Sequence, residues 1–249
     1  MLKRTLVLSL TVLSFTASAQ NKWGVSLGLS NQGQVDQVLH GFYFPAHETA
    51  YQDDATNGKM LNIKYNLGVS YQVKTNSIMR LRLGLGQRSN ESIQEMPTSQ
   101  WEVNDDQGFA EIALSYGVTE QLGRVQVSGG VELPFYIIGQ FSQSIYSEEY
   151  SGGVMTQYSN YTSTMDGGYI TGLNGFVRGD YGFWKRFSVF TEFNFGVLRS
   201  KLGDRNTGQG TVYPTGGTPI VGTVTESEKT QTKFFFSGVQ AQFGLAVHF

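Results

Sequence analysis

Ten charged side chains sit in the middle of segments otherwise built from apolar residues alternating with small polar ones. They are Lys64, Arg80, Arg82, Arg88, Glu111, Arg124, Glu132, Arg178, Asp180 and Glu192. Six bases and four acids, held together, have the makings of a salt-bridged and hydrogen-bonded plug. Other chemistry has little to work with. There is no Cys, which excludes disulfides, thiolate metal sites and a Cys nucleophile. His40 and His47 stand near Glu48, Asp53 and Asp54, but their spacing fits no ligand motif, and solvated loop residues are the plainer reading. His248 adjoins the C-terminus and is expected to be a polar plug residue. Gly84 and Gly86 fall inside a strand pattern and not at a strand-to-helix turn, so they are no phosphate loop. No metal, cofactor or catalytic set is expected.

The elements that position those charges show period-2 alternation, the signature of strands. Eight segments carry it: 22–31, 59–74, 77–89, 107–119, one starting near 122, one running to about 183, 187–199, and a last one ending at Phe249. Their apolar faces include Trp23, Val25, Leu27 and Leu29 in the first, and Met79, Leu81, Leu83 and Leu85 in the third. With each strand's parity set by its apolar residues alone, all ten charges fall on the opposite face. By chance that would happen about once in a thousand times, given the strict two-face alternation of a strand. Register is then strongly specified, since a slip of one residue would move every charge to the apolar face.

The connections take turns in length. Lys74–Ser77, Thr119–Leu122 and Trp184–Arg186 are short; 32–58, 90–106, roughly 144–165 and 200–230 are long and hold Pro45, Pro97, Pro214 and Pro219. Short turns alternating with long loops over eight antiparallel strands predict an all-β, eight-stranded transmembrane β-barrel, with turns on the periplasmic side and loops outside. Aromatics gather near the turn ends as an interfacial girdle: Trp23, Tyr71, Tyr116, Tyr181, Phe183, Trp184, Phe187 and Phe249. A soluble lipocalin-like barrel would alternate equally well with its apolar face inward. The polar face argues against it, being mostly Gly, Ser, Asn and Gln, where a soluble exterior would carry more Lys and Glu. An Ig-like sandwich would not split its connections into two length classes. Pro134, inside the fifth strand, predicts a bulge or bend at the outer rim.

Composition agrees. Only 15% of residues are charged and 13% are aromatic, with 31 Gly, which excludes a disordered chain. The net charge of -2 gives no basic excess to hold nucleic acid. Residues 1–19 have Lys3 and Arg4, then an apolar run from Thr5 to Phe15, then Ala17-Ser18-Ala19. That is a cleaved export signal, leaving 20–249 as one barrel domain beginning at Gln20.

The stretch GGYITGLNGFVRGDYGFWKRFSVFTEFNFGV resembles the sixth and seventh strands of the PorT-like outer-membrane β-barrel family, small barrels of the OmpA/OmpX type. In that family a Gly- and aromatic-rich strand, a short basic turn and a strand with an inward Glu recur. The last strand, SGVQAQFGLAVHF, looks like the C-terminal signal read by the barrel assembly machinery, carried here by Phe243, Leu245, Val247 and Phe249. The resemblance implies the outer membrane of a Gram-negative bacterium, with lipid and that machinery as partners, and allows a part in a protein-secretion apparatus.

An eight-stranded interior is just wide enough for side chains to fill. The leading expectation is therefore a structural or binding protein with a filled lumen. It would meet an extracellular or envelope partner through its loops, where Phe42, Tyr43, Phe44, Tyr146, Tyr150, Tyr158 and Tyr161 stand. Cross-strand packing in extended hairpins is the plainer reading of those tyrosines. A narrow pore for small molecules is the alternative, and an embedded enzyme a more distant one. Inward Gly is expected to make room for long Arg side chains.

Overall fold

Residues whose apolar side chains recur at every second position have one conformation that puts them all on one side, the extended strand. The computed structural model describes residues 22–32, 35, 59–203, 206–226 and 231–249. Among these there are thirteen strands: β1 (Trp23–Asn31), β2 (Lys59–Lys74), β3 (Ser77–Met96), β4 (Ser99–Leu122), β5 (Val125–Ile138), β6 (Phe141–Ser151), β7 (Val154–Met165), β8 (Gly168–Gly182), β9 (Phe187–Leu202), β10 (Asn206–Pro214), β11 (Ile220–Glu226), β12 (Gln231–Phe236) and β13 (Gln240–His248). The export segment 1–19, Gln20, Phe42, Tyr43, Phe44, and His40 and His47 with their neighbouring acids lie outside the described residues.

Every pairing is antiparallel. Following the ladders β1–β2–β3–β4–β5–β8–β9–β13 leads back to β1, so eight strands close into a ring. At the seam Phe249 donates to the Trp23 carbonyl at 2.8 Å, tying the last residue to the first strand. One end of the ring carries tight turns. At this end Trp23 packs on Tyr71 with ring centroids 4.7 Å apart, and Trp184 lies beside Phe187.

The turn expected at Thr119–Leu122 lies two to three residues later. β4 continues to Leu122, which pairs with Val125 across Gly123 and Arg124. Gly123 takes φ 64°, a left-handed conformation that glycine adopts without a Cβ clash and that fits a two-residue hairpin turn. The break in the ladder therefore falls at the glycine.

At the other end the described residues of three expected loops, 90–106, 144–165 and 200–230, are largely strand. β3 and β4 run on together to a turn at Pro97–Thr98. Above Gly108, β4 leaves β5 and pairs with β6, and the sheet continues through β7 and β10 to β11. We call this four-strand extension the wing. It branches where backbones touch: a Cβ on Gly167 would lie 2.0 Å from the Ile138 carbonyl oxygen, so only glycine fits. Polar cross-strand pairs hold the wing, with Ser147 and Ser159 hydroxyls 2.7 Å apart and those of Thr164 and Thr207 2.8 Å apart. The bulge expected at Pro134 is absent. Pairs on either side, Glu132 with Asn174 and Phe135 with Thr171, keep one register, and the Thr171 hydroxyl donates to the Pro134 carbonyl at 3.1 Å.

Burial is inverted relative to a soluble protein. Outward side chains such as Leu85 (66% exposed) and Leu27 (64%) are open, while Lys64, Arg82, Glu111, Glu132 and Glu192 are all buried.

Candidate functional site

The ring interior is built around Arg82. It stands on β3, where its inward position and long side chain place the guanidinium among four other strands. Nη2 donates to Glu132 Oε1 on β5 at 2.7 Å and to Glu111 Oε1 on β4 at 2.9 Å. Nη1 donates to Glu192 Oε1 on β9 at 2.9 Å and to Gln242 Oε1 on β13 at 3.3 Å. One cation thus joins five strands. Lys64 from β2 donates to Glu111, and Arg80 from β3 donates to Glu192. The planar, always-charged fork of Arg suits such a position, where a buried charge is tolerated only if it is paired and hydrogen-bonded.

Arg178 and Glu192 are direct cross-strand partners, as the three-residue turn requires. The hydrogen bonds go elsewhere, however. Arg178 grips Asp180 with two bonds, Nε at 2.7 Å and Nη2 at 2.6 Å, and its nearest approach to Glu192 is 3.7 Å. Glu192 is instead taken by Arg80, Arg82 and the Asn194 amide, which donates at 3.1 Å. Arg88 is buried higher on β3. Arg124 is not part of the interior: it lies exposed in the turn after Gly123, because the strand to which its parity was assigned begins only at Val125.

Above these ion pairs the buried residues become largely apolar, with Arg88, Gln107 and Ser200 also buried at this level. Val35, Phe109, Tyr136, Ile138, Ile170, Leu198 and Leu202 form one buried cluster, with Phe235 packed against it. The boundary runs through one cross-strand pair, Glu111 with Tyr136; one step up, Phe109 faces Ile138. Lys64 Nζ lies 5.6 Å from the centre of the Tyr136 ring. The inward glycines serve aromatics more than arginines. A Cβ on Gly86 would be 2.3 Å from Phe109, and one on Gly117 2.8 Å from Phe176. Phe176, so accommodated, carries a cation, with Arg80 over its ring at 4.0 Å; Arg178 likewise lies over Phe190 at 3.7 Å.

Toward the turn end a cavity of about 30 Å³, room for a water or two, is lined by Arg80, Arg82, Glu132, Asp180 and His248 among others. His248 lies half-buried there, its Nε2 2.9 Å from the Ser188 hydroxyl. Asp180, whose charge reaches this imidazole, has both oxygens held by Arg178. Among the described residues no hydrogen bond joins Asp180 to His248, so the three are not linked as a nucleophile–base–carboxylate relay.

On the wing, the tyrosines pack across strands. Tyr158 stacks on Tyr213 with centroids 4.5 Å apart, and Tyr146 tilts against Tyr158. Tyr146 donates to Glu148 at 2.6 Å, and Tyr150 donates to its other oxygen. These bonds push the Tyr146 hydroxyl up to about 12 and hold the Glu148 carboxyl below its usual range. Of the residues named as an assembly signal, Phe243 and Leu245 point outward and exposed, while Val247 and Phe249 are partly covered near the seam.

No family model and no curated protein matches the chain. Solved structures similar to it are outer-membrane proteins. CarO of Acinetobacter baumannii is 10% identical, with 91% of this chain and 97% of CarO covered and a TM-score of 0.37. A major outer-membrane protein of Thermus thermophilus is 12% identical over 92% of this chain and 98% of its own, with a TM-score of 0.35. LpxR of Salmonella typhimurium is 7% identical over 91% of this chain and 100% of its own, with a TM-score of 0.18. Likeness at these levels carries no function from one protein to another.

Proposed function

We propose that this chain is an eight-stranded outer-membrane β-barrel, closed by its own side chains, whose role is structural or is recognition through the sheet it carries outside the cell. The observation that carries this reading is the inverted burial: charged residues fill the ring while Leu, Val and Phe cover its outer face. A bilayer is the solvent for which that distribution is favourable, and a closed ring leaves no unpaired backbone edge in it. The dimensions agree. From Val125 at the turn end to Phe135, which stacks on Tyr169 near the other end, ten residues of strand tilted by about 40° rise roughly 25 Å, the height of a barrel's apolar band.

With the turns periplasmic, the wing is extracellular. Residues 1–19 are then the removed export signal, and Phe243, Leu245, Val247 and Phe249 the residues that the assembly machinery reads. Membership of the PorT-like family rests on the strands around Trp184. The filled interior disfavours a pore.

Fractionation of expressing cells tests the reading. The chain is expected in the outer membrane, heat-modifiable in electrophoresis, with an intact mass beginning at Gln20. Deletion of Phe249 should lower its amount there and spare refolding in detergent. A soluble periplasmic chain would overturn the proposal.

A further inference from the structure

Charge begins abruptly on the outward face of β9. Its outward residues from Phe187 to Val197 carry none, and the next two, Arg199 and Lys201, are both cations. Both are exposed, on the parity that the buried charges of the ring avoid. Across the ladders Arg199 lies level with Thr171 and Phe135, and Lys201 with Tyr169 and Ile137, none of them charged. Phe135 stands at the upper limit of the apolar band, so the two cations sit on its outer rim. Long basic side chains reach there from an apolar surface to a polar boundary.

An open apolar seat is the second observation. β12 pairs with β9 beside the cations, with Phe234 opposite Arg199 and Phe236 opposite Val197. Phe235 turns inward onto the buried cluster, so Phe234 and Phe236 turn outward, where they are 72% and 80% exposed. The Arg199 guanidinium lies 5.7 Å from the centre of the Phe234 ring. Positive charge and apolar surface thus meet at one height. The surplus of charge persists when every acid nearby in sequence is counted. Residues 199–233 hold five bases, Arg199, Lys201, Arg205, Lys229 and Lys233, against three acids, in a chain whose net charge is -2.

We propose that Arg199 and Lys201 bind the phosphate of an anionic lipid of the outer leaflet, whose acyl chains lie along Phe234, Phe236 and Val197. Guanidinium and ammonium groups donate charge-assisted hydrogen bonds to phosphate oxygens. A lipid presents those oxygens directly above its apolar chains, which is the order in which β9 and β12 present their partners. The proposal rests on the reading of the ring as a membrane barrel with this end outward.

The probe is bisphosphorylated lipid A, added to the purified, detergent-refolded full chain and read as a bound adduct by native mass spectrometry. Binding is expected, weaker by about tenfold or more for the same lipid stripped of its phosphates. Arg199→Gln with Lys201→Gln should weaken it by about tenfold or more. Lys185→Gln with Arg186→Gln removes the same charge from the exposed turn at the other end, and should change it by less than about twofold. Both double variants should stay heat-modifiable, because all four side chains are exposed. Equal binding of the two lipids, or an equal loss in the two double variants, would overturn the proposal. Displacement by excess inorganic phosphate would overturn it too, by showing a site for a free anion. So would self-association of the chain that Arg199→Gln with Lys201→Gln abolishes, without preference for the phosphorylated lipid. A chain that sits in the outer membrane and fails these tests loses this proposal alone, whereas a soluble chain loses the barrel reading as well.

Discussion

The interior of the ring has two storeys, and they hold the strands together by different means. In the lower one Arg82, Arg80, Lys64 and Arg178 face Glu111, Glu132, Glu192 and Asp180 at hydrogen-bond distance. In the upper one Phe109, Ile138, Ile170, Leu198 and Leu202 pack on one another, with Arg88 the buried charge at that height. Ion pairs are directional: each fixes which strand lies opposite which, and each leaves a heavy penalty when one partner is lost. Apolar packing is tolerant of direction but excludes water, and exclusion of water strengthens the ionic storey below it. Tyr136, paired with Glu111 and packed on Phe109 at 6.3 Å, belongs to both.

The largest expected effect comes from the lower storey. Arg82→Met leaves three buried carboxylates without their shared cation and should destabilise the refolded protein to urea by about 3–5 kcal/mol. A loss below about 1 kcal/mol would mean that the network is not a unit. Next comes the upper storey, where Leu198→Ala should cost about 2–4 kcal/mol through the cavity it opens. Gly86→Ala should cost about 1–3 kcal/mol by displacing Phe109.

A finer test separates the pairs within the lower storey. Arg178→Met and Asp180→Leu should each destabilise so much that their combination falls short of the sum, because each single change strands a partner that holds two hydrogen bonds. Glu192→Leu combined with Arg178→Met should come closer to additivity, since Glu192 is bonded chiefly to Arg80 and Arg82. The reverse order would show that the register is right and the side chains are arranged otherwise.

The smallest effect lies outside, on the wing. Glu148 accepts from Tyr146 and Tyr150, so the bonded set prefers neutral phenols and an ionised carboxylate. A raised phenol means that the Tyr146 bond is complete below the ordinary value of 10.0 and is lost as pH rises through about 12. A lowered carboxyl means that the same bond, present above the ordinary value of 4.5, is lost as pH falls through the depressed one. Ultraviolet titration of Glu148→Gln should show Tyr146 ionising earlier than in the parent. An unchanged curve would mean that the wing contact is not formed in solution.

Strict alternation makes the ring strands readable. The parity rule that sets Lys64, Arg80, Arg82 and Glu111 on one face needs no knowledge of contacts. It misplaces Arg124 because alternation continues through a turn that only Gly123 marks. The upper storey escapes it, because Phe109, Tyr136, Ile170 and Leu198 lie on the polar parity and look like exceptions. A signal for it exists: Tyr136-Ile137-Ile138 is apolar on both faces, which means cover on both sides. The wing reads as loops because Ser, Thr, Gln and Tyr occupy both faces of β6, β7 and β10, leaving no alternation to detect. The hydrogen-bonding partners of Arg178 depend on side-chain reach across the ring, which register alone does not fix.

Single-channel recording of the refolded protein in a planar bilayer addresses the closed interior most directly. With an ionic storey, a largely apolar storey above it and cavities of about 30 Å³ each among the side chains, the proposed barrel should give no steady conductance steps. Leu198→Ala should remain silent as well, since the ions beneath still fill the ring. Steady, ohmic openings of the unaltered protein would contradict the proposed closed barrel and establish a pore in its place.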